Sequence, residues 1–550
     1  MDQTDQNRNT QTANSSTRDL NEYPTGFALA MTLFSLALGT FLMALDTTII
    51  AVAVPKISTQ FNALGQVGWI GSSYLITLTT FQVIAGKTYK EFNPKTTYMV
   101  LVIVFEAGSI ICATALSSVA FIVGRAIVGV GAAGLIQGAL GIITYISTLE
   151  KRPFHLAIVI SVFGITNSCG PMIGGVFTDR VSWRWCFWVN LPFGGLTLIL
   201  VLLFLDVKTL GSSSARQHPI HVKLKRLDPV GFVLLISSVC CLFIALQEGG
   251  TSVPWKSARI IGLLIGFGLL GVLFWVSQWM MRDDALVPVR FFRQRTIVFG
   301  SLFLFCDNMS NYLKLYYLPF YFQAVLDTSA IRSGVNYMAL AVPQFFALLL
   351  SGGLVSRFGY YMPAILFGQA LCVVGTGFLT QINTTTSTAE WAGYMILVGF
   401  GLGMGINIPH IAIQAVMETD EDIFLANGIA TLFSQLGGSI AISMGNALLI
   451  NGLDASVPTY APGVSAKAII DAGPLNLSEF ASSAAVLSNL RVAYGKAIQH
   501  VLIFALVIIC TSVPVACGMQ WLNLKSISKD QENAKAMQNN KVENEIEKST

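Results

Sequence analysis

The sequence consists mainly of long apolar runs separated by short polar segments. A helix needs about 20 apolar residues to cross the hydrocarbon core of a bilayer. Runs of suitable length occur at 27–54, 67–86, 97–116, 119–143, 156–178, 185–205, 229–247, 260–281, 297–325, 334–355, 361–381, 391–417, 424–451 and 498–522. The pattern therefore predicts an all-α polytopic membrane protein with fourteen transmembrane helices.

Composition supports this class and excludes others. Of the 550 residues 53% are hydrophobic and 11% are charged, whereas a soluble domain carries roughly 25% charged residues. A soluble enzyme, a nucleic-acid binder and a disordered scaffold are thereby excluded as descriptions of the whole chain. The net charge of +4 does not by itself indicate an anionic partner. We expect the lipid bilayer to be the main partner and expect no nucleic acid.

No segment predicts nucleotide or metal chemistry. Gly86-Lys87-Thr88 resembles the end of a phosphate-binding loop, but Phe81 stands where that motif needs a glycine. The preceding segment is a predicted membrane helix rather than a strand. Neither an HExxH motif nor another metal-ligand spacing is present. We therefore expect no nucleotide, metal or cofactor, and no enzyme activity.

Basic residues indicate the orientation. With the N-terminus in the cytoplasm, the predicted inner loops hold 15 Lys and Arg residues and the outer loops nine, as the positive-inside rule requires. The tails 1–26 and 523–550 are then both cytoplasmic, and the only long outer loop is 452–496. The sequons at Asn383 and Asn476 lie in predicted outer loops and are candidate glycosylation sites.

Five charged residues fall inside the predicted spans, where charges are costly and usually functional. They are Asp46, Glu106, Arg125, Asp307 and Lys314. Asp46 and Arg125 lie at similar depth, so a contact between them would either hold the bundle statically or couple proton movement to conformation. Glu106 either pairs with Arg125 or is protonated through desolvation. Asp307 and Lys314 are two helical turns apart on one face and could bridge directly or through a partner.

Uncharged polar residues form a second group. Asn407, His410 and Gln414 are spaced i, i+3 and i+7 along span 12, as a polar stripe. Each residue alone would be explained by an interhelical hydrogen bond, whereas a water-filled cavity explains the whole stripe. His410 would either titrate near neutral pH or serve as a hydrogen-bonded structural histidine. Further polar side chains on spans 9 and 13 are Asn308, Asn311, Gln323 and Gln435.

Small residues are concentrated in spans 4 and 5. Span 4 reads Arg125-Ala-Ile-Val-Gly129-Val-Gly131-Ala-Ala-Gly134-Leu-Ile-Gln137-Gly138, and span 5 contains Gly164, Gly170-Pro171 and Gly174-Gly175. Such spacing lets helix backbones touch, and Gly-Pro loosens a helix locally. The two spans therefore predict a tight but pliable interface between moving parts.

These motifs resemble the major facilitator superfamily, in particular its fourteen-span drug:proton antiporter family of the fungal multidrug and toxin efflux type. Gly164, Gly170-Pro171 and Gly174-Gly175 are similar to the family's antiporter motif. Leu45 to Pro55, with Asp46 in it, resembles the first-helix motif. Arg125 with Gly129 and Gly131 resembles the span 4 motif. Matches also occur at Trp183-Arg184-Trp185, Asn190-Leu191-Pro192 and Tyr316-Tyr317-Leu318-Pro319 through Gln323.

The resemblance implies a major facilitator fold with two six-helix halves, 27–205 and 282–522, and a linker with two inserted helices in 206–281. Spans 1, 4, 9 and 12 would line a central cavity, and the arginine of span 4 would take part in proton transfer. The implied proton-coupling residues are Asp46, Arg125 and Glu106; the substrate cavity residues are Gln137, Asp307, Asn311, Lys314, Asn407, His410, Gln414 and Gln435; the inner-gate residues are Gly86, Lys90, Glu91 and Arg357.

The expected function is proton-coupled export of amphipathic small molecules, such as toxins, antifungal drugs or secondary metabolites, across the plasma membrane. The partners would be a small-molecule substrate and protons, and the proton gradient would be the driving force. A vacuolar basic amino-acid carrier or a siderophore carrier of the same superfamily remains an alternative. A non-transporting membrane sensor is a further alternative, although the short tails leave little room for signalling.

Overall fold

The computed structural model describes residues 24, 26–147, 152–205, 219–249, 253–281, 285–287, 289–417, 420–523 and 526. Most of both predicted tails lies outside this part. The long helices are α1 Gly26–Gln60, α2 Val67–Glu91, α3 Pro94–Thr114, α4 Ser118–Ile146, α5 Arg152–Arg180, α6 Asn190–Phe204, α7 Pro229–Glu248, α8 Ala258–Met281, α9 Arg295–Phe320, α10 Ala330–Phe358, α11 Met362–Leu379, α12 Thr388–Gly405, α13 Asp420–Tyr460 and α14 Ala484–Cys517.

Short helical segments connect or extend these helices. Single turns occur at Leu64–Gln66, Trp185–Trp188, Val289–Arg293 and Leu477–Phe480, a π-helical turn at Tyr321–Val325, and short α-helices at Ile220–Arg226, Ile408–Ala415 and Ala466–Ala472. The predicted all-α class is confirmed: helices make up nearly all of the regular structure in the described residues, with only isolated bridges besides.

The predicted count of fourteen spans is not confirmed. Within the described residues, twelve helical stretches are long and apolar enough to cross a membrane. Helices α5 and α9 are long enough, with 29 and 26 residues, but are not among the twelve. The side chains of α9 are largely buried in the bundle, whereas α5 also exposes apolar side chains, among them Ile165 and Met172.

Helix packing divides the long helices into two groups. In the first, α4 packs against α2 and α3, while α1 packs against α5 and α6. In the second, α12 packs against α10 and α11, while α9 packs against α13 and α14. The groups, termed the N half (α1–α6) and the C half (α9–α14), meet where α5 contacts α10 and α2 contacts α13. The inserted α7 contacts α2, α13 and α8, so it lies beside this junction.

The two ends of the bundle are named here by the predicted orientation. The outer end is where α1 ends and α2 begins, and the inner end is the opposite one. At the outer end α13 continues to Tyr460 and α14 begins at Ala484, so the predicted long loop 452–496 is wrong at both boundaries. Polar residues such as Asp454 and Arg491 end the apolar run but not the helix, since backbone hydrogen bonds continue beyond the hydrocarbon core.

The prediction of one continuous helix for span 12 is also wrong. α12 ends at Gly405, and a separate helix begins at Ile408. Pro409, in the first turn of that second helix, lacks the backbone N–H that a continuous helix needs. Asn407 therefore stands at the break and does not share one helix with His410 and Gln414.

Candidate functional site

The centre of the N half holds a buried ion pair. Arg125 Nη1 of α4 lies 2.5 Å from Asp46 Oδ2 of α1, and both side chains are 0% exposed. The contact expected from the sequence is therefore present. It is incomplete: Asp46 Oδ1 and Arg125 Nε and Nη2 have no hydrogen-bond partner among the described residues.

An aromatic side chain completes the surroundings of the pair. The guanidinium carbon of Arg125 lies 4.4 Å from the centre of the Tyr74 ring of α2, a geometry that attracts a cation to the ring face. The Tyr74 hydroxyl lies 3.1 Å from Thr47 Oγ1 of α1. Gly129 permits this arrangement, because a Cβ there would collide with Thr77 and with the Tyr74 carbonyl oxygen. Tyr74 carries no sequence pattern that distinguishes it from other aromatic residues, and sequence analysis missed it.

Glu106 does not join the pair. Its carboxylate lies against Gly194 of α6, and both of its oxygens are buried without a partner among the described residues. Nearby, Asn190 Nδ2 donates to Ser109 Oγ at 3.2 Å. Of the two expectations for Glu106, the contact with Arg125 is absent from this part of the structure, and the side chain lies between α3 and α6.

The buried charges of the C half are held differently. Asp307 Oδ1 accepts a hydrogen bond from Gln369 Nε2 of α11 at 2.9 Å, and Gln369 Oε1 accepts one from Ser512 of α14 at 2.9 Å. Asp307 Oδ2 has no partner among the described residues. Lys314 donates to Ser310 Oγ at 2.8 Å and lies 3.5 Å from Thr376 Oγ1 of α11.

Asp307 and Lys314 are thus buried within the C half, and their place in the substrate cavity stays a prediction. They are 1% and 0% exposed; Asp307 bonds to Gln369 of α11, and Lys314 bonds to Ser310 of α9 and lies near Thr376 of α11. They share a face of α9, as their spacing requires, but each is hydrogen-bonded to neutral groups. Neither Gln369 nor Ser512 was identified from the sequence.

Several predicted polar residues lie between helices. The amide oxygens of Asn311 and Gln435 are buried without partners among the described residues, although both side chains are only half-buried overall. His410 Nδ1 lies 3.3 Å from Asn427 Oδ1 of α13. Gln414 is exposed and Gln137 is half-buried. No hydrogen bond within the described part of the chain joins these side chains to one another, and their place in a substrate cavity stays a prediction.

The antiporter-like segment of α5 contacts both halves. A Cβ on Gly170 or Gly174 would collide with Thr48 or with the Ile49 carbonyl oxygen of α1. A Cβ on Gly175 would lie 2.5 Å from the Ala330 carbonyl oxygen of α10. The carbonyl group of Pro171 lies directly against Gly334 of α10. The surroundings of Gly164 lie outside the described part.

At the inner end, Glu91 is 6% exposed and lies 3.8 Å from Arg226 of the short helix Ile220–Arg226. Sequence analysis did not identify Arg226. Gly86 and Arg357 are exposed, and the Arg357 guanidinium carbon lies 5.7 Å from the Phe358 ring centre. The side chain of Lys90 lies outside the described part, and the inner gate stays a prediction.

Both candidate glycosylation sites lie at the outer end. Asn383 is exposed, and its Oδ1 accepts hydrogen bonds from Thr385 N at 2.8 Å and from Thr385 Oγ1 at 2.7 Å. Asn476 is half-buried and precedes the turn Leu477–Phe480. Their use stays a prediction.

Comparison with known proteins identifies the class of protein to which this chain belongs. The profile described as Major Facilitator Superfamily matches residues 36–442. The chain is 38% identical over 501 residues to "MFS-type efflux pump MFS1" of Arthroderma benhamiae, covering 91% of this chain and 93% of that protein. It is 34% identical over 476 residues to "Efflux pump aflT" of Aspergillus parasiticus, covering 86% and 92%.

A solved structure supports the fold. The inward-facing, unoccupied structure of a bacterial homologue of the human lysosomal transporter Spinster matches with a TM-score of 0.61 at 14% identity, covering 92% of this chain and 99% of that one. The chain belongs to the Major Facilitator Superfamily. It is accordingly a multi-pass membrane transporter of small molecules rather than an enzyme, and its relatives are of the fungal efflux-pump type.

Proposed function

We propose that this transporter exports amphipathic small molecules across the plasma membrane and that inward movement of protons drives the export. Relatives that are 38% and 34% identical are named efflux pumps, which supports the direction. Transport would proceed by alternating access, in which the two halves rock around a site near the midplane. The contacts of α5 and α2 with α10 and α13 supply the surfaces on which the halves would move.

The contact between Asp46 and Arg125 is the observation that carries the coupling. A fully buried charge is stable only with a counter-charge, and removing one partner leaves the other uncompensated. Protonation of Asp46 would neutralise the carboxylate and leave Arg125 with its charge and two unpaired donor nitrogens. The resulting cost would be relieved by a different arrangement of α1 against α4. A proton at Asp46 would thus change the balance between inward-open and outward-open states.

The substrate class is supported by the mixed character of side chains on α9 and α13. The half-buried amides of Asn311 and Gln435 offer oxygens without partners among the described residues, while Tyr312 and Tyr316 stack with ring centres 6.2 Å apart. Polyspecific binding sites combine apolar and aromatic walls with a few polar groups. Such a lining suits molecules with one apolar and one polar side.

The test is export from proteoliposomes with an imposed pH gradient. A panel of fluorescent amphipathic dyes is first screened with the wild-type protein, and the dye with the strongest gradient-dependent export is kept. Arg125→Ala is then expected to abolish that export while the protein still reaches the membrane. Arg332→Ala, which removes an exposed arginine of α10, is the matched control and should export normally.

Undiminished gradient-driven export by Arg125→Ala would refute the assignment of coupling to this pair. Wild-type vesicles that move none of the dyes, whatever the gradient, would instead favour a non-transporting role. The location is tested separately with a tagged full-length protein. Fluorescence confined to the vacuolar membrane would replace plasma-membrane export with vacuolar sequestration.

A further inference from the structure

The two halves touch through their backbones at the outer end. A Cβ on Gly175 of α5 would lie 2.5 Å from the Ala330 carbonyl oxygen and 2.7 Å from Ile331 Cα of α10. Gly334, one turn further along α10, lies directly against the carbonyl group of Pro171. Because no side chain separates the helices here, the end of α5 is placed directly at the first residues of α10.

Asp179, near the end of α5, contacts the first turn of α10. Its Oδ1 accepts a hydrogen bond from Ala330 N at 3.3 Å, and its Oδ2 accepts one from Ile331 N at 2.6 Å. The first N–H groups of a helix have no partner within the helix. Within the part of the chain that the structure describes, the side chain of Ser329 accepts a hydrogen bond from Arg332 N, at 3.2 Å, and from no other group. The first turn of α10 is therefore completed by a carboxylate from the other half of the molecule.

The position of Asp179 is itself secured within the N half. Lys56 Nζ of α1 donates to the carbonyl oxygen of Thr178 at 2.6 Å, so the residue before Asp179 is tied to α1. The carboxylate also carries a negative charge at the N-terminus of α10, where the helix dipole favours an anion. Asp179 is exposed, so water can replace it when the helices separate.

We infer that Asp179 is a positioning residue for transport, which holds the outer end closed by capping α10 across the junction between the halves. The inference rests on the proposed alternating-access function, because opening of the outer end must break both hydrogen bonds. An exposed carboxylate at a helix N-terminus contributes modestly. Losing it should therefore shift the balance from the closed to the open outer end by about two- to fivefold.

The discriminating measurement is hydrogen–deuterium exchange of the purified full-length protein, read by mass spectrometry on the peptide that contains residues 328–334. Asp179→Asn keeps the shape but removes the charge and one acceptor oxygen. It is expected to speed exchange in this peptide by about two- to fivefold. Arg180→Gln changes the neighbouring exposed residue and should leave exchange unchanged.

A second variant distinguishes the effect of the contact between the halves from the effect of the local cap. Ser329→Ala removes the cap that α10 itself supplies, and it should speed exchange at Arg332 without opening the outer end. With Asp179→Asn, the apparent KM for the dye identified above, added on the inner side, should rise. The reason is that fewer transporter molecules are then inward-open. Ser329→Ala should not change that KM.

Unchanged exchange in the Asp179→Asn peptide would overturn the inference, whatever the transport result. A faster exchange with an unchanged KM would also overturn it, since the cap would then be local and without influence on the cycle. The proposed proton coupling would be refuted by a different result, namely undiminished export by Arg125→Ala. The two failures are therefore distinguishable.

Discussion

The two halves bury charges in different ways. In the N half, Asp46 and Arg125 come from two helices and contact each other at 2.5 Å. In the C half, Asp307 and Lys314 come from one helix, and each is hydrogen-bonded to neutral side chains. The first arrangement brings two opposite charges into contact, and the second holds each charge by hydrogen bonds to neutral side chains.

This difference determines how each half should respond when one of its buried charged groups is neutralised. Neutralising one member of a contacting pair leaves the other buried without its counter-charge, which is costly. Neutralising Asp307 would still leave Gln369 an oxygen to donate to. We therefore expect the N half to respond strongly to protonation and the C half to respond weakly, even though both contain a buried acid and a buried base.

The largest effect is expected for Arg125→Met. It leaves Asp46 buried without a counter-charge, and the free energy of unfolding should fall by about 3–5 kcal/mol. The double variant Asp46→Asn/Arg125→Met should recover part of this loss, because both charges are then gone. Thermal unfolding of the detergent-purified proteins measures both. A double variant less stable than Arg125→Met would contradict the pairing.

Lys314→Met should cost less, about 1.5–3 kcal/mol of unfolding free energy, since the hydrogen bonds of the Lys314 ammonium go to neutral groups. Ser310 keeps its own hydrogen bond to the Ala505 carbonyl oxygen, so little is left unpaired. The same unfolding assay applies. If Lys314→Met lowers the free energy of unfolding as much as Arg125→Met does, the inferred difference between the halves is wrong.

Asp307→Asn should change the free energy of unfolding by about 1 kcal/mol or less. The new amide retains an oxygen for Gln369 and offers an N–H₂ group where Oδ2 now lacks a partner among the described residues. Asp46→Asn is the matched variant in the N half and should be clearly more damaging. Equal losses for the two variants would mean that Asp307 is compensated by a charge after all.

The smallest effect is expected for Glu106→Gln. Its carboxylate has no partner among the described residues, so an amide of the same shape should leave gradient-driven export of the dye within about twofold of wild type. Export measured in proteoliposomes checks this. A loss as complete as that expected for Arg125→Ala would place Glu106 in the coupling machinery.

Sequence reasoning succeeded where the information is local. Apolar runs located the long helices, and counting residues along α1 and α4 was enough to bring Asp46 and Arg125 to the same depth. Similar counting placed Asp307 and Lys314 on one face of α9. These inferences depend only on the rise and twist of a helix.

The remaining features depend on how helices are rotated and tilted against one another. The hydrogen bonds of Asp307 with Gln369 and of Gln369 with Ser512 join three helices far apart in sequence. The capping of α10 by Asp179 likewise needs the C-terminal end of α5 to meet the N-terminal end of α10. The outer ends of α13 and α14 were predicted too short, since apolarity marks the membrane-embedded part of a helix and not its full length.

The polarity of α9 has a consequence for how the protein is made. Asp307 and Lys314 lie in a helix that is not apolar enough to count among the twelve candidate spans, and a charged residue at the centre of a span costs about 2.5–3.5 kcal/mol on insertion scales. A newly synthesised α9 should therefore enter lipid poorly by itself. Its partners Gln369 and Ser512 are synthesised later, on α11 and α14. We expect α9 to become stably inserted only when these helices arrive, so truncation of the chain before α14 should leave the C half a target for quality control.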